Sequence, residues 1–137
     1  MSLKMTGFDL LEDELKKYDD PDDIAAKVVD TASPILVETV KDETVKEMIK
    51  TTTSSDSSGD LADSIQATGA KINGYGCFAA VRPTGRDRKG VRNGEKMAYR
   101  EYGTSKQPAK PILKKAVRKS EKKCLEIMQK TFEDVTK

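Results

Sequence analysis

A chain of 137 residues has room for one domain with a modest core and little left over for a second. Apolar residues make up 36% and charged residues 35%, with no tryptophan, so the composition lies on the polar side of globular, as a disordered loop or a face buried only in an oligomer would each explain. Histidine is absent, which removes the commonest general base and metal ligand together with every Ser-His and Cys-His nucleophile pair.

No apolar run approaches the roughly eighteen residues that cross a bilayer, and the first residues lack a charged-then-apolar export signal; synthesis in the cytoplasm and no membrane partner are expected. Cys77 and Cys124 are far apart and have no redox or zinc motif around them, so both read as small hydrophobes. The formal net charge is only +2 but is unevenly distributed. Residues 1–60 hold 15 Asp and Glu against 7 Lys, whereas residues 82–119 hold 13 Lys and Arg against Asp87, Glu95 and Glu101. Such polarity suits head-to-tail stacking of identical subunits, and it also suits a basic face that meets nucleic acid.

In chain order, Phe8, Leu11 and Leu15 recur at spacings of three and four among Asp9 and Glu12 to Glu14, which predicts a first short helix over 8–15. Asp20 before Pro21 reads as an N-cap followed by proline at the first helical position. A second helix is expected over 21–50, with Ile24, Val28, Ala32, Ile35, Leu36, Val40, Val45, Met48 and Ile49 on one broad side. Pro34 lies inside it and predicts a kink or two consecutive helices joined near Ser33. Asp20, Asp22 and Asp23 do not form a calcium loop, because the turn glycine and the bidentate Glu at the twelfth position are missing.

Residues 51–60, rich in Thr and Ser, bury almost nothing and read as a flexible linker. Two runs, 65–72 and 75–82, then flank Asn73 and Gly74, the pattern of an antiparallel hairpin closed by a type I′ turn with positive φ at both central residues. Residues 83–96 contain Arg86, Arg88, Lys89, Arg92 and Lys96 among several glycines, with Val91 as the apolar exception. A long, basic, flexible loop is predicted, either a solvated excursion with no fixed partner or a contact made by these five candidate side chains; as a contact, a neighbouring subunit's acidic face fits them better than DNA does. Residues 97–102 fit either a short helical turn or an irregular third strand packed on the hairpin.

Gly103 offers a backbone free to take positive φ, Thr104 and Ser105 supply turn hydroxyls, and Pro108 and Pro111 stiffen the approach to Ile112. Together Glu101, Tyr102, Gly103, Thr104, Pro108 and Pro111 read as a structural elbow. Glu101 has no second acid or histidine with which to do chemistry, so it is expected either to bond the Gly103–Thr104 turn or to pair with a neighbouring subunit. The last helix is expected over 111–135. Ile112, Leu113, Ala116, Val117, Ser120, Cys124, Ile127, Met128, Thr131, Phe132 and Val135 form its inner face, packed across the hairpin.

The order of elements, Glu-Tyr-Gly-Thr, then Pro-Ala-x-Pro with an apolar residue and Leu113, then a charged helix, resembles the tail-component family of tailed phages and prophages. Upstream, Ser58, Gly59, Leu61, Ser64 and Ile65 are similar to that family's (Ser/Thr)-Gly-x-Leu-x-x-Ser-(apolar) approach to a strand. The resemblance spans 58–137 and is to head-to-tail joining or tail-completion proteins of lambdoid siphophages, the gene-product-ten type. It implies a structural protein that forms a homo-oligomeric ring and docks onto other neck or tail proteins, located in the host cytoplasm during assembly and then in the virion.

The expected architecture is therefore α+β in a single domain: a helical part over 1–50, a linker over 51–60, hairpin, basic loop and elbow over 61–110, and a C-terminal helix over 111–136. No catalytic residue, cofactor or metal site is expected. The alternative is a nucleic-acid-binding module that sets Arg86, Arg88, Lys89, Arg92, Lys96, Arg100 and Lys106 against phosphate. Against it, stacking aromatics are few and the acidic first half would repel a polyanion.

Overall fold

The computed structural model describes residues 16, 18, 20–51 and 60–137. The helix expected over 8–15 lies outside the described residues, as does the expected linker between Thr51 and Asp60. The fold is α+β, with two long helices, two short ones and a small antiparallel hairpin among the described residues.

Helix α1 spans Pro21–Thr51. Its start is the expected cap: the Asp20 carboxylate accepts the Asp23 N–H at 3.0 Å, and Pro21 places its missing donor where no intrahelical partner exists. The helix is not divided at Pro34 but continues through it as one element. Proline deprives only the Asp30 carbonyl of its partner, and Asp30 is exposed, so water can serve it.

After a single turn, α2 (Asp60–Asp63), the chain forms β1 (Ile65–Ala67), β2 (Lys71–Asn73), β3 (Gly76–Phe78) and β4 (Val81–Pro83). Strand β1 pairs with β4 and β2 with β3, all antiparallel. Between the pairs Ala67↔Val81 and Lys71↔Phe78, one arm holds three residues and the other two. A bulge therefore splits the arms that were expected to run unbroken over 65–72 and 75–82. Its spare donor is not orphaned, because the Ala70 N–H is accepted by the Asp30 carboxylate of α1 at 2.7 Å.

The hairpin turn also differs from expectation. Asn73 pairs with Gly76, so the central residues are Gly74 and Tyr75, and neither has positive φ; that role falls to Gly76, at φ 132°. The Asn73 side chain explains the shift, since its Oδ1 accepts the Tyr75 N–H at 2.9 Å, an Asx turn that replaces the type I′ geometry.

Helix α3 covers Asn93–Tyr102 and α4 covers Ile112–Thr136. Helix α3 settles 97–102 as helix and takes 93–96 out of the predicted loop. Five elements feed one core: Val40 of α1, Leu61 of α2, Ile65 of β1, Met97 of α3, and Ile112 and Ala116 of α4. Full burial of an Ile or Met side chain stabilises by roughly 1.5–3 kcal/mol, so this small cluster is the main hydrophobic term.

Helix α4 runs antiparallel along α1. Lys110 lies 3.5 Å from Glu47, Lys119 lies 2.5 Å from Glu43, and the Cys124 Sγ approaches the Ala32 carbonyl at 3.9 Å. It passes beside the hairpin, where Cys124 and Met128 share a cleft with Cys77 and Phe78, but its main partner is α1. Length dictates that choice: a stripe of 25 residues extends roughly 37 Å, whereas strands of three residues cover only about 10 Å.

Candidate functional site

The elbow is built from backbone outward. Gly103 adopts φ 76° and ψ 175°, a conformation that a side chain strongly disfavours. A β-carbon there would sit 2.7 Å from the Ala109 nitrogen and 3.0 Å from the Gln107 oxygen. The chain then folds tightly on itself, with the Thr104 N–H donating to the Gln107 carbonyl at 2.9 Å and the Lys110 N–H donating to the Arg100 carbonyl at 2.7 Å.

Glu101, half-buried, bonds the start of α4 rather than the Gly103–Thr104 turn. Its Oε2 accepts the Leu113 N–H at 2.8 Å and its Oε1 accepts the Lys114 N–H at 3.2 Å. These are orphan donors at the start of α4, where the helix dipole favours a negative charge. Pro111, at φ −72° and ψ 83°, leads into that turn without a side chain able to cap it, so a residue of the preceding helix supplies the cap.

The basic segment is ordered by an acid that sequence reasoning passed over. Asp87 Oδ1 accepts the N–H groups of Lys89 and Val91 at 2.9 and 2.8 Å, and the Gly90 N–H returns to the Asp87 carbonyl at 3.0 Å. An Asp at the first position of a turn and Gly at the fourth was the available signal. Asp87 also pairs with Lys96, and that hydrogen bond, reinforced by the Val91 and Lys89 amides, holds its carboxyl below the usual carboxylate range. The predicted open loop is thus a bonded hairpin over 84–92, anchored to the first turn of α3. Asn93 closes its base, donating from Nδ2 to the Thr84 carbonyl at 2.7 Å.

The five candidate contacts have different situations. Lys96 is committed to Asp87, Arg88 lies 3.4 Å from Asp60, and Arg86 Nη1 donates to the Gly90 carbonyl at 2.8 Å. Lys89 and Arg92 are exposed, and their side chains make no bond among the described residues. Arg86 and Arg92 face one another across an isolated antiparallel bridge, and neither has a carboxylate partner among the described residues.

Between this hairpin, β4 and α3 lies a groove of about 720 Å³, open to solvent. Val81, Pro83, Met97 and Leu113 line its apolar part, and Arg82, Arg86, Arg92, Glu95, Glu101 and Tyr102 also line it. Basic loop and elbow, distinct in sequence, here border a single depression.

Much of the charge polarity is folded back within the chain. Glu43, buried on α1, accepts from Lys119 and Lys46, and the Lys119 bond is the main cause that holds its carboxyl below the ordinary range. Among the described residues no group of His, Cys, Asp and Glu is arranged to hold a metal ion, and no helix is long and apolar enough to cross a membrane. Comparison with family models, with curated proteins and with solved structures finds no match.

Proposed function

We propose that the chain is a structural subunit of a tailed phage or prophage, a head-to-tail joining, neck or tail-completion component. It works by oligomerising into a ring and docking onto other virion proteins, first in the host cytoplasm and then in the virion. The resemblance of the 58–65 and 101–113 segments supplies the context.

The observation that carries the reading is the distribution of apolar side chains. Among the described residues nine hydrophobics are buried while thirteen large ones are exposed to varying degrees. Tyr75 is fully exposed at the hairpin tip, Tyr102 is 81% exposed beside the groove, and Ile49 is 75% exposed near the end of α1. Surfaces of that kind belong to proteins that complete their burial against a partner.

Light scattering across a concentration series tests the reading, together with electron micrographs of the largest species. A mass that is an integer multiple of the monomer, with ring-shaped particles, is expected. A monomer at every concentration, alone and mixed with portal and tail-tube proteins, would refute it.

A further inference from the structure

We propose that the groove beside Arg86 and Arg92 receives the acidic, leucine-bearing segment 8–15 of a second copy of this chain. The inference rests on the self-assembly reading above and names the contact that would carry it.

Like charges set directly opposite one another on paired strands repel, and Arg86 and Arg92 are so placed with no ion pair to an acid of the described residues. Arg82 lines the groove with them, and of the groove's two acids Glu101 is taken up by the Leu113 and Lys114 amides, which leaves Glu95 against three arginines. An anionic ligand beside the groove relieves that cost. The groove is apolar where Val81, Pro83 and Leu113 line it, so its ligand must also offer apolar anchors. Segment 8–15 combines both properties. Phe8, Leu11 and Leu15 stand at i, i+3 and i+7, the spacing with which an amphipathic helix enters a groove, and Asp9, Glu12, Asp13 and Glu14 lie between them.

Geometry assigns the segment to a neighbour. Tyr18 packs on Phe132 near the far end of α4, with ring centroids 6.3 Å apart, whereas the groove touches α4 at Leu113. Those two positions are separated by roughly 28 Å along the helix. Leu15 is only three residues from Tyr18, at most about 11 Å of chain in any conformation, too little to bring the segment to its own groove. A contact between unlike surfaces of successive copies is heterologous, and it closes into a ring when the rotation permits.

The test is a charge swap in the full chain, read as mass against concentration by light scattering, with circular dichroism as the check on folding. Arg92→Glu and Glu12→Arg are each expected to raise the dissociation constant at least about tenfold. Both changes in one chain should restore most of the loss. A synthetic peptide of residues 5–18, added in excess, should dissociate the wild-type assembly. If the wild type assembles but neither substitution nor peptide weakens it, this inference is overturned and self-assembly stands. A wild type that never assembles overturns both. Arg92→Lys, which keeps the charge, should assemble like the wild type; a loss equal to that of Arg92→Glu would also overturn the inference.

Discussion

Replacing Gly103 tests whether the elbow is a backbone device. In Gly103→Ala, one added carbon must occupy a φ of 76° with ψ of 175°, a region whose cost for other residues is about 1–3 kcal/mol. That carbon also meets the Ala109 nitrogen at 2.7 Å and the Gln107 oxygen at 3.0 Å, backbone atoms that cannot swing aside as a flexible side chain would. Relief requires residues 107–109 to move, which strains the 2.7 Å bond from the Lys110 N–H to the Arg100 carbonyl and pulls the cap on α4 out of line. Each of those losses costs about 1 kcal/mol. The total, about 3–5 kcal/mol, is a large share of the 5–15 kcal/mol by which domains are stable. Urea unfolding followed by circular dichroism measures it directly, and the melting temperature should fall by about 10 °C or more. Gly103→Val should be worse. Gly94→Ala is the control, because a carbon added there meets nothing within 4 Å. If Gly103→Ala unfolded within about 0.5 kcal/mol of wild type, the elbow would not depend on that backbone geometry.

Glu101→Gln keeps an acceptor but loses the charge and one of two bonds to α4, so about 1 kcal/mol should be lost in urea unfolding, with little change in secondary structure by circular dichroism. Glu43 has a folded pKa below its ordinary value, so its stabilisation is present above about pH 4.5 and lost as pH falls through the folded pKa. The stability difference between wild type and Glu43→Gln should therefore shrink on acidification, and a constant difference would contradict the assignment. In Asp87→Asn, the Val91 and Lys89 amides should exchange with solvent faster by NMR, while the Met97 and Ala116 amides inside α3 and α4 keep their protection. With Lys96 and Arg88 paired with acids, only Arg86, Lys89 and Arg92 of the five candidate contacts are left for phosphate, and the acidic first half repels a polyanion, so low-salt gels with duplex DNA should show no shift; a salt-sensitive shift would favour the nucleic-acid alternative.

Local signals were the legible ones. Asp20 and Pro21 marked the start of α1, Asn73 and Gly74 marked a turn, and period and capping placed α4 within a residue of its observed limits. What escaped depends on partners distant in sequence. Nothing local to Glu101 says that its carboxylate will meet the amides of Leu113 and Lys114, because only the tight return over 104–110 brings them together. Glu43 and Thr44 are buried although neither belongs to the apolar side expected for α1: Lys119 of α4 reaches back to Glu43, while the Thr44 hydroxyl donates to the Val40 carbonyl at 2.7 Å. The bulge in the hairpin likewise answers to Asp30, forty residues upstream of Ala70. An amphipathic stripe says which side of a helix is apolar but not what will cover it, hence the choice of α1 over the hairpin.

The antiparallel pairing of α1 with α4 also has a kinetic consequence. The two helices with the largest interface are separated by the hairpin, the basic turn and the elbow, so neither can stabilise the other until the intervening chain has closed. Contacts of such long sequence separation slow the search for the native state. Hairpin and elbow are then the gate of the folding reaction: lesions there should retard refolding, whereas shaving the α1–α4 seam, as in Ala116→Gly, should chiefly hasten unfolding.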